Sequence, residues 1–265
     1  MHVAALVAGV ADSRKPLPRP ASGDWRELPG ASTVAYKPSP FDEAAIEIAL
    51  KLRDQGAASR VTVVVTDGAG DVALMRAIAA LKPDRVCGLC PPAAQRGNPA
   101  WLARHAPALL REDDAWPGLV LIGREHGDLD DGMAPAYLAE AWGLPYVGLA
   151  LQARPRTGGG WTLLRSGARQ DEALDVPAPA MASISNDRSN RLRHPLMKNV
   201  ALAKQFKFDA ATPDPASPAA SATLAEAAPA AAAARGARHC QLFTGTVQAQ
   251  AAALADYLRA AASHP

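Results

Sequence analysis

Uncharged apolar runs alternate with amphipathic runs through roughly the first two thirds of the chain. Residues 3–10 are apolar or small throughout, and residues 61–66 (VTVVVT) are dense in β-branched side chains. Both patterns predict strands buried on two faces. Between them, Ala45, Ile46, Ala49 and Leu50 recur at helical spacing, behind a proline-bounded turn that brings Phe41, Asp42 and Glu43 to the helix start. Carboxylates in a first turn favour the exposed amides and the positive end of the helix dipole. The alternation continues with a turn at Asp67-Gly68, a helix over 72–81, a strand over 85–89, a helix over 101–110, a strand over 119–123 and a helix over 135–142. Fully apolar strands separated by helices imply an α/β fold, a mostly parallel sheet with helices on both faces, Rossmann-like and compatible with a nucleotide. Its crossovers are expected to be right-handed.

After Gly143 the rhythm changes. Segments 146–153 and 161–166 flank a turn-rich stretch ending in Gly158-Gly159-Gly160, which predicts a hairpin extension. One more strand is expected over 180–185. A basic arm follows at 186–208, with a net charge of +5 and the apolar residues Leu196, Met197, Val200 and Leu202 interleaved. Residues 209–236 are almost wholly Ala, Pro, Ser and Thr, too poor in large apolar residues for a core, and read as a flexible linker. A short strand over 239–244 and a helix over 247–261 end the chain; the helix carries Ala251, Leu254 and Leu258 on one face. The expected organisation is therefore a body (1–185), an arm (186–208), a linker (209–236) and a C-terminal segment (237–265) that docks on the body or on a partner.

Composition narrows the function classes. With 49% apolar and 20% charged residues, the 265-residue chain has material for a full core. A net charge of +2 and only four Tyr and four Phe speak against a nucleic-acid platform. No apolar run approaches the ~20 residues a spanning helix needs, and the N-terminal run lacks the basic flank of a signal peptide, so a cytoplasmic protein without direct membrane insertion is expected. Three cysteines make no disulfide framework, and Cys87-Gly88-Leu89-Cys90 lies on an expected strand followed by two prolines, which points to structural thiols. The acidic loop at 125–131 contains hard ligands but lacks the spacing of a calcium loop, so no metal is expected. No nucleophile elbow, phosphate-loop motif or paired catalytic bases occur, and no catalytic residue is assigned.

The order of turn, aromatic residue, acid pair and Glu47 in PSPFDEAAIEIALKL (38–52) resembles the first long helix of electron-transfer flavoprotein β subunits. Residues 61–85, 119–124 (LVLIGR), 179–181 with 186–191, and 194–208 (HPLMKNVALAKQFKF) resemble, in order and spacing, that family's second and third strands, its strand into the nucleotide loop, and its partner-docking arm. The similarity spans roughly residues 1–208 together with the final helix. It implies an electron-carrier subunit without catalytic residues of its own. The implied partners are an FAD-carrying α subunit, flavin-dependent dehydrogenases and a quinone oxidoreductase as acceptor; AMP, or a second FAD, would occupy the β subunit's own crevice.

In an open α/β sheet that crevice lies beyond the carboxyl ends of the strands. The loops expected there contribute Leu6 from the first strand, and Ser39, Phe41 and Asp42 at the first helix. Thr66 ends the second strand, and Gly123, Asp128, Asp130, Asp131, Gly132 and Met133 follow the fourth. Small residues let backbone approach a ligand, and helix starts offer amides to phosphate. The segment GDLDDGM (127–133) departs from the family's Thr-Gly-Gln-like phosphate turn: it has neither hydroxyl nor amide side chain, and its Asp130 and Asp131 repel phosphate unless they bind ribose hydroxyls or cap the helix. Whether AMP binds is left open. In the arm, Leu196 or Met197 is the expected anchor for a dehydrogenase, with Arg193 and Lys198 beside it. An adenine-nucleotide-dependent enzyme, or a stand-alone nucleotide-binding protein on a similar sheet, are the alternatives.

Overall fold

The computed structural model describes residues 1–15, 34–92, 95–211 and 242–262. Its central sheet is parallel and built from β1 (His2–Val7), β4 (Arg60–Val65), β5 (Arg85–Leu89), β6 (Leu119–Gly123), β7 (Tyr146–Ala150), β11 (Ala180–Ile184) and β12 (Asp209–Ala211). The strand order is β12-β5-β4-β1-β6-β11-β7. The chain thus builds outward from β1 through β4 to β5, then returns to place β6 on the other side of β1. The switch of direction opens a crevice between the carboxyl ends of β1 and β6.

Alternation along the strands divides the core into two layers. Val3, Ala5 and Val7 of β1 face α1 (Pro40–Asp54) and α2 (Val72–Ala79), packing with Ile46, Leu50 and Ile78. Ala4 and Leu6 face the opposite layer of α3 (Pro99–His105), α4 (Pro107–Leu110) and α5 (Ala134–Trp142), packing with Leu102, Leu110 and Leu138. This is the α/β sheet covered on both faces that the apolar pattern implies.

Four departures from the expected elements have local causes. The run over 3–10 is two strands, because the Gly9 amide turns to donate to the Asp67 carbonyl; β2 (Gly9–Ala11) then pairs antiparallel with β3 (Tyr36–Pro38). The helix over 101–110 is broken at Pro107, which has no amide to donate. The segment 146–153 divides at Leu151, just beyond Leu149, whose φ is 60°: β7 joins the main sheet, whereas β8 (Gln152–Pro155) pairs with β9 (Trp161–Ser166). The expected hairpin gains a third strand, β10 (Asp171–Val176), half-buried at alternate positions. Trp161 ties this small sheet to the body, donating from Nε1 to the Gly118 carbonyl at 2.7 Å.

Residues 209–211, expected to open the linker, instead form the edge strand β12 beside β5; residues 212–236 lie outside the described residues. The expected strand over 239–244 also falls partly there, and Leu242–Thr244 is not in a strand. Two compact units are present, Met1–Ala219 and Ala220–Pro265. The first contains all three sheets and the arm. The second contributes the 16-residue helix α7 (Val247–Ala262), close to the helix the sequence predicts. Among the described residues no helix is long and apolar enough to cross a membrane.

Candidate functional site

Three chain segments meet at the β1–β6 crevice. The first is the start of α1. Ser39 is its N-cap: Oγ accepts from the Asp42 amide at 3.1 Å and donates to Asp42 Oδ2 at 2.9 Å, while Pro40 supplies a helix-compatible φ without needing a partner for an amide. Asp42 is completely buried. Burial pushes its carboxyl up to about 8, against the opposing pull of Ser39 and of the Ala8 and Gly123 amides at the strand ends. Its Oδ1 forms no hydrogen bond. Gly123 is required above it, because a Cβ there would lie 2.8 Å from Asp42 Oδ1 and 3.1 Å from the Phe41 Cβ. Phe41 itself is half-buried, and the Arg124 guanidinium lies 5.0 Å from its ring centroid.

The second segment is the end of β4. Thr66 Oγ1 donates to the Val7 carbonyl at 3.3 Å and pairs with His126 Nε2 at 2.9 Å. Which of the two groups donates depends on the ring's tautomer; the other ring nitrogen, Nδ1, is buried and has no partner. Burial lowers the His126 pKa to about 4, so the ring is neutral at physiological pH. Asp67 is also buried, its pKa raised by desolvation and held back by Arg96, whose Nε lies 3.6 Å from Oδ1. Arg96 in turn donates to the Tyr36 hydroxyl at 2.6 Å.

The third segment is the loop from β6 to α5. Asp130 gathers four amides: its Oδ1 accepts from Gly132 and Met133 at 3.0 Å and from Ala134 at 3.1 Å, and its Oδ2 accepts from His126 at 2.7 Å. Asp128 Oδ2 accepts from the Ala11 amide at 2.8 Å. Asp131, Gly132 and Met133 are exposed.

The structure therefore brings Ser39, Asp42, Thr66, Gly123, Asp128 and Asp130 to one crevice. Leu6 is a core side chain, wholly buried between β1 and the α3–α5 layer. Composition offered no sign of Arg96 or Tyr36, and Asp67 stood out only as a turn residue. The two thiols behave as structural groups: Cys87 is buried in β5, and burial raises the Cys90 pKa. Among the described residues no cluster of His, Cys, Asp and Glu fits a metal ion. Cys240 lies outside the described residues.

The arm forms a separate surface. Arg193 grips α1, with Nε and Nη2 on Glu47 at 3.0 and 3.1 Å and Nη1 on Asp54 at 2.6 Å. Beyond it, Leu196 and Met197 open α6 (Met197–Ala203) and are 60% and 81% exposed. Leu202, Phe206 and Lys198 are exposed too, whereas Val200 and Ala203 face the body.

Comparison with known proteins agrees with this architecture. The family model for the electron transfer flavoprotein domain matches residues 31–216. The electron transfer flavoprotein subunit beta of Syntrophomonas wolfei is 29% identical over 168 residues, 63% of this chain and 64% of that protein. The match thus spans a little less than two thirds of that relative. The mitochondrial subunit beta of Oryza sativa subsp. japonica is 27% identical over 194 residues, 70% of this chain and 73% of its own. The subunit beta of Bradyrhizobium diazoefficiens is 26% identical over 174 residues, 66% and 68% of the two chains. On the family match over most of its described length and on these relatives, the chain belongs to the electron transfer flavoprotein family, on the β-subunit side.

Proposed function

We propose that this chain is the β subunit of a heterodimeric electron-transfer flavoprotein, supporting an FAD-carrying α subunit and docking flavin-dependent dehydrogenases. The flavin, when bound in the complex, supplies the redox chemistry, and electrons pass on towards a respiratory quinone oxidoreductase. This chain does no bond chemistry itself. The observation that carries the reading is the arm: a rigidly anchored segment presenting Leu196 and Met197 to solvent beside Lys198. Single exposed apolar side chains are ordinary, but four within 196–206, on α6 and its flanks, support reading the arm as an interaction surface. Methionine's flexible thioether suits an anchor that enters pockets on more than one partner, and the surrounding lysines steer acidic partners at long range. Leu129, Met133 and Leu149, exposed at the carboxyl end of the sheet, supply apolar surface for the α subunit.

Co-expression with the candidate α subunit tests this directly. A stable heterodimer containing FAD, reducible by a flavin dehydrogenase, is expected. Replacing Leu196 and Met197 together with alanine slows that reduction roughly tenfold or more, the size of a small hot spot, and leaves the FAD content and Tm unchanged. Unaltered transfer rates would remove the arm from the docking site.

A further inference from the structure

At the start of α5 and just after β1, amides that would face a ligand in a sheet of this topology are already committed to the protein's own carboxylates. Phosphate in such a crevice sits at a helix N-terminus, where several unpaired amides converge. Here the helix that starts beside the β1–β6 switch point is α5, and the amides of Gly132, Met133 and Ala134 all donate to one atom, Asp130 Oδ1. The Ala11 amide, which follows β1, donates to Asp128. At α1 the corresponding place is closed by Ser39 and the buried Asp42. The buried polar atoms left without a partner in the crevice are Asp42 Oδ1, Asp67 Oδ1 and His126 Nδ1, two carboxyl oxygens and a nitrogen of a neutral imidazole, and none of them carries positive charge. A phosphate brings only further acceptors and negative charge. The nearby guanidinium groups are engaged, Arg96 with Asp67 and Tyr36, and Arg124 with Glu125 at 2.9 Å.

AMP, implied by the family resemblance, therefore does not fit the residues present. We propose that Asp130 is a built-in substitute for a nucleotide phosphate: the carboxylate closes the α5 N-terminus from within, and the crevice does not take AMP or other phosphate-bearing nucleotides. Entry of a phosphate would have to expel Asp130 from four hydrogen bonds and then hold its charge beside Asp128 and Asp131, against like-charge repulsion. The chain would thus keep the family's sheet with an internal acidic cap where the resemblance expects a ligand.

The test is thermal unfolding of the full chain titrated with AMP and with inorganic phosphate, followed by mass spectrometry of small molecules released by heat. A ligand that binds only the folded state raises Tm with its concentration. The wild-type Tm is expected to stay flat into the millimolar range for both ligands, with no AMP released. Asp130→Gly, which vacates the amides, is expected to start from a lower Tm and to gain a rise of several degrees in phosphate. A wild-type protein that responds to AMP, or releases it stoichiometrically, overturns the proposal. A folded Asp130→Gly protein that gains no response overturns the role given to Asp130, and if that variant does not fold, the wild-type titration decides alone. The chain is titrated by itself, so the outcome stands apart from whether a heterodimer with an α subunit forms.

Discussion

At the scale of single residues, the crevice is held by groups in unusual protonation states, and these have consequences for stability. Asp42 has a folded-state pKa of about 8 against an ordinary aspartate value of 3.8, so between these values the folded protein binds a proton that the unfolded chain has lost. Stability must then fall as pH rises through that window, with the full penalty present above about 8. His126 has the opposite bearing: with its pKa lowered from 6.5 to about 4, the unfolded chain takes the proton first, and stability is lost as pH falls through that range. The two slopes oppose below pH 6.5, so the Asp42 effect is read above it. Between pH 6.5 and 8.5 the wild-type Tm is expected to drop, while Asp42→Asn, which cannot ionise, holds a flat profile and becomes the more stable protein at the alkaline end. Parallel profiles would show that Asp42 is ionised throughout. Directly above it, Gly123→Ala would force a Cβ to 2.8 Å from Asp42 Oδ1 and 3.1 Å from the Glu125 carbonyl. Such overpacking costs about 1–3 kcal/mol, measurable as a lowered midpoint in urea.

At the scale of elements, the arm separates anchoring from display. Arg193 satisfies Glu47, which is 95% buried, and reaches Asp54 at the far end of α1. Removing it leaves a buried carboxylate unpaired, so Arg193→Ala is expected to cost about 2 kcal/mol or more and to speed hydrogen exchange across 188–203. Leu196→Ala with Met197→Ala touches no such contact and is expected to leave both unchanged. An Arg193→Ala protein of wild-type stability would mean that the clamp is dispensable. The same contrast shows what a sequence can disclose. The central strands are legible because burial on both faces demands apolar runs, and the start of α1 because Ser39, Pro40 and Asp42 act within one turn. The strand β10 is obscure because only alternate positions of DEALDV are half-buried. The pairing of Thr66 with His126 spans sixty residues and has no local signature. Arg193 reads as one more arm cation until Glu47, 146 residues earlier, is seen beneath it.

At the scale of the whole molecule, a compact α/β unit is followed by a second unit whose described part is one helix and the short segment leading into it. A helix of 16 residues is marginal in water by itself and takes its stability from packing an apolar face. In α7 that face contains Ala251, Leu254 and Leu258, with Tyr257 adjacent. If the chain works within a heterodimer, the docking of α7 belongs to assembly, and its amides report on it more directly than any activity does. Hydrogen exchange in the chain alone is expected to be fast over 247–262 and slow over β1, β4 and β6, whose opening requires disruption of the central sheet. Adding the α subunit is expected to slow α7 by at least tenfold while leaving those strands as they were. Protection already present in the isolated chain would instead assign the helix to the body. Unchanged fast exchange in a proven heterodimer would remove α7 from the assembly altogether, leaving the apolar residues at the sheet's carboxyl end to carry the contact.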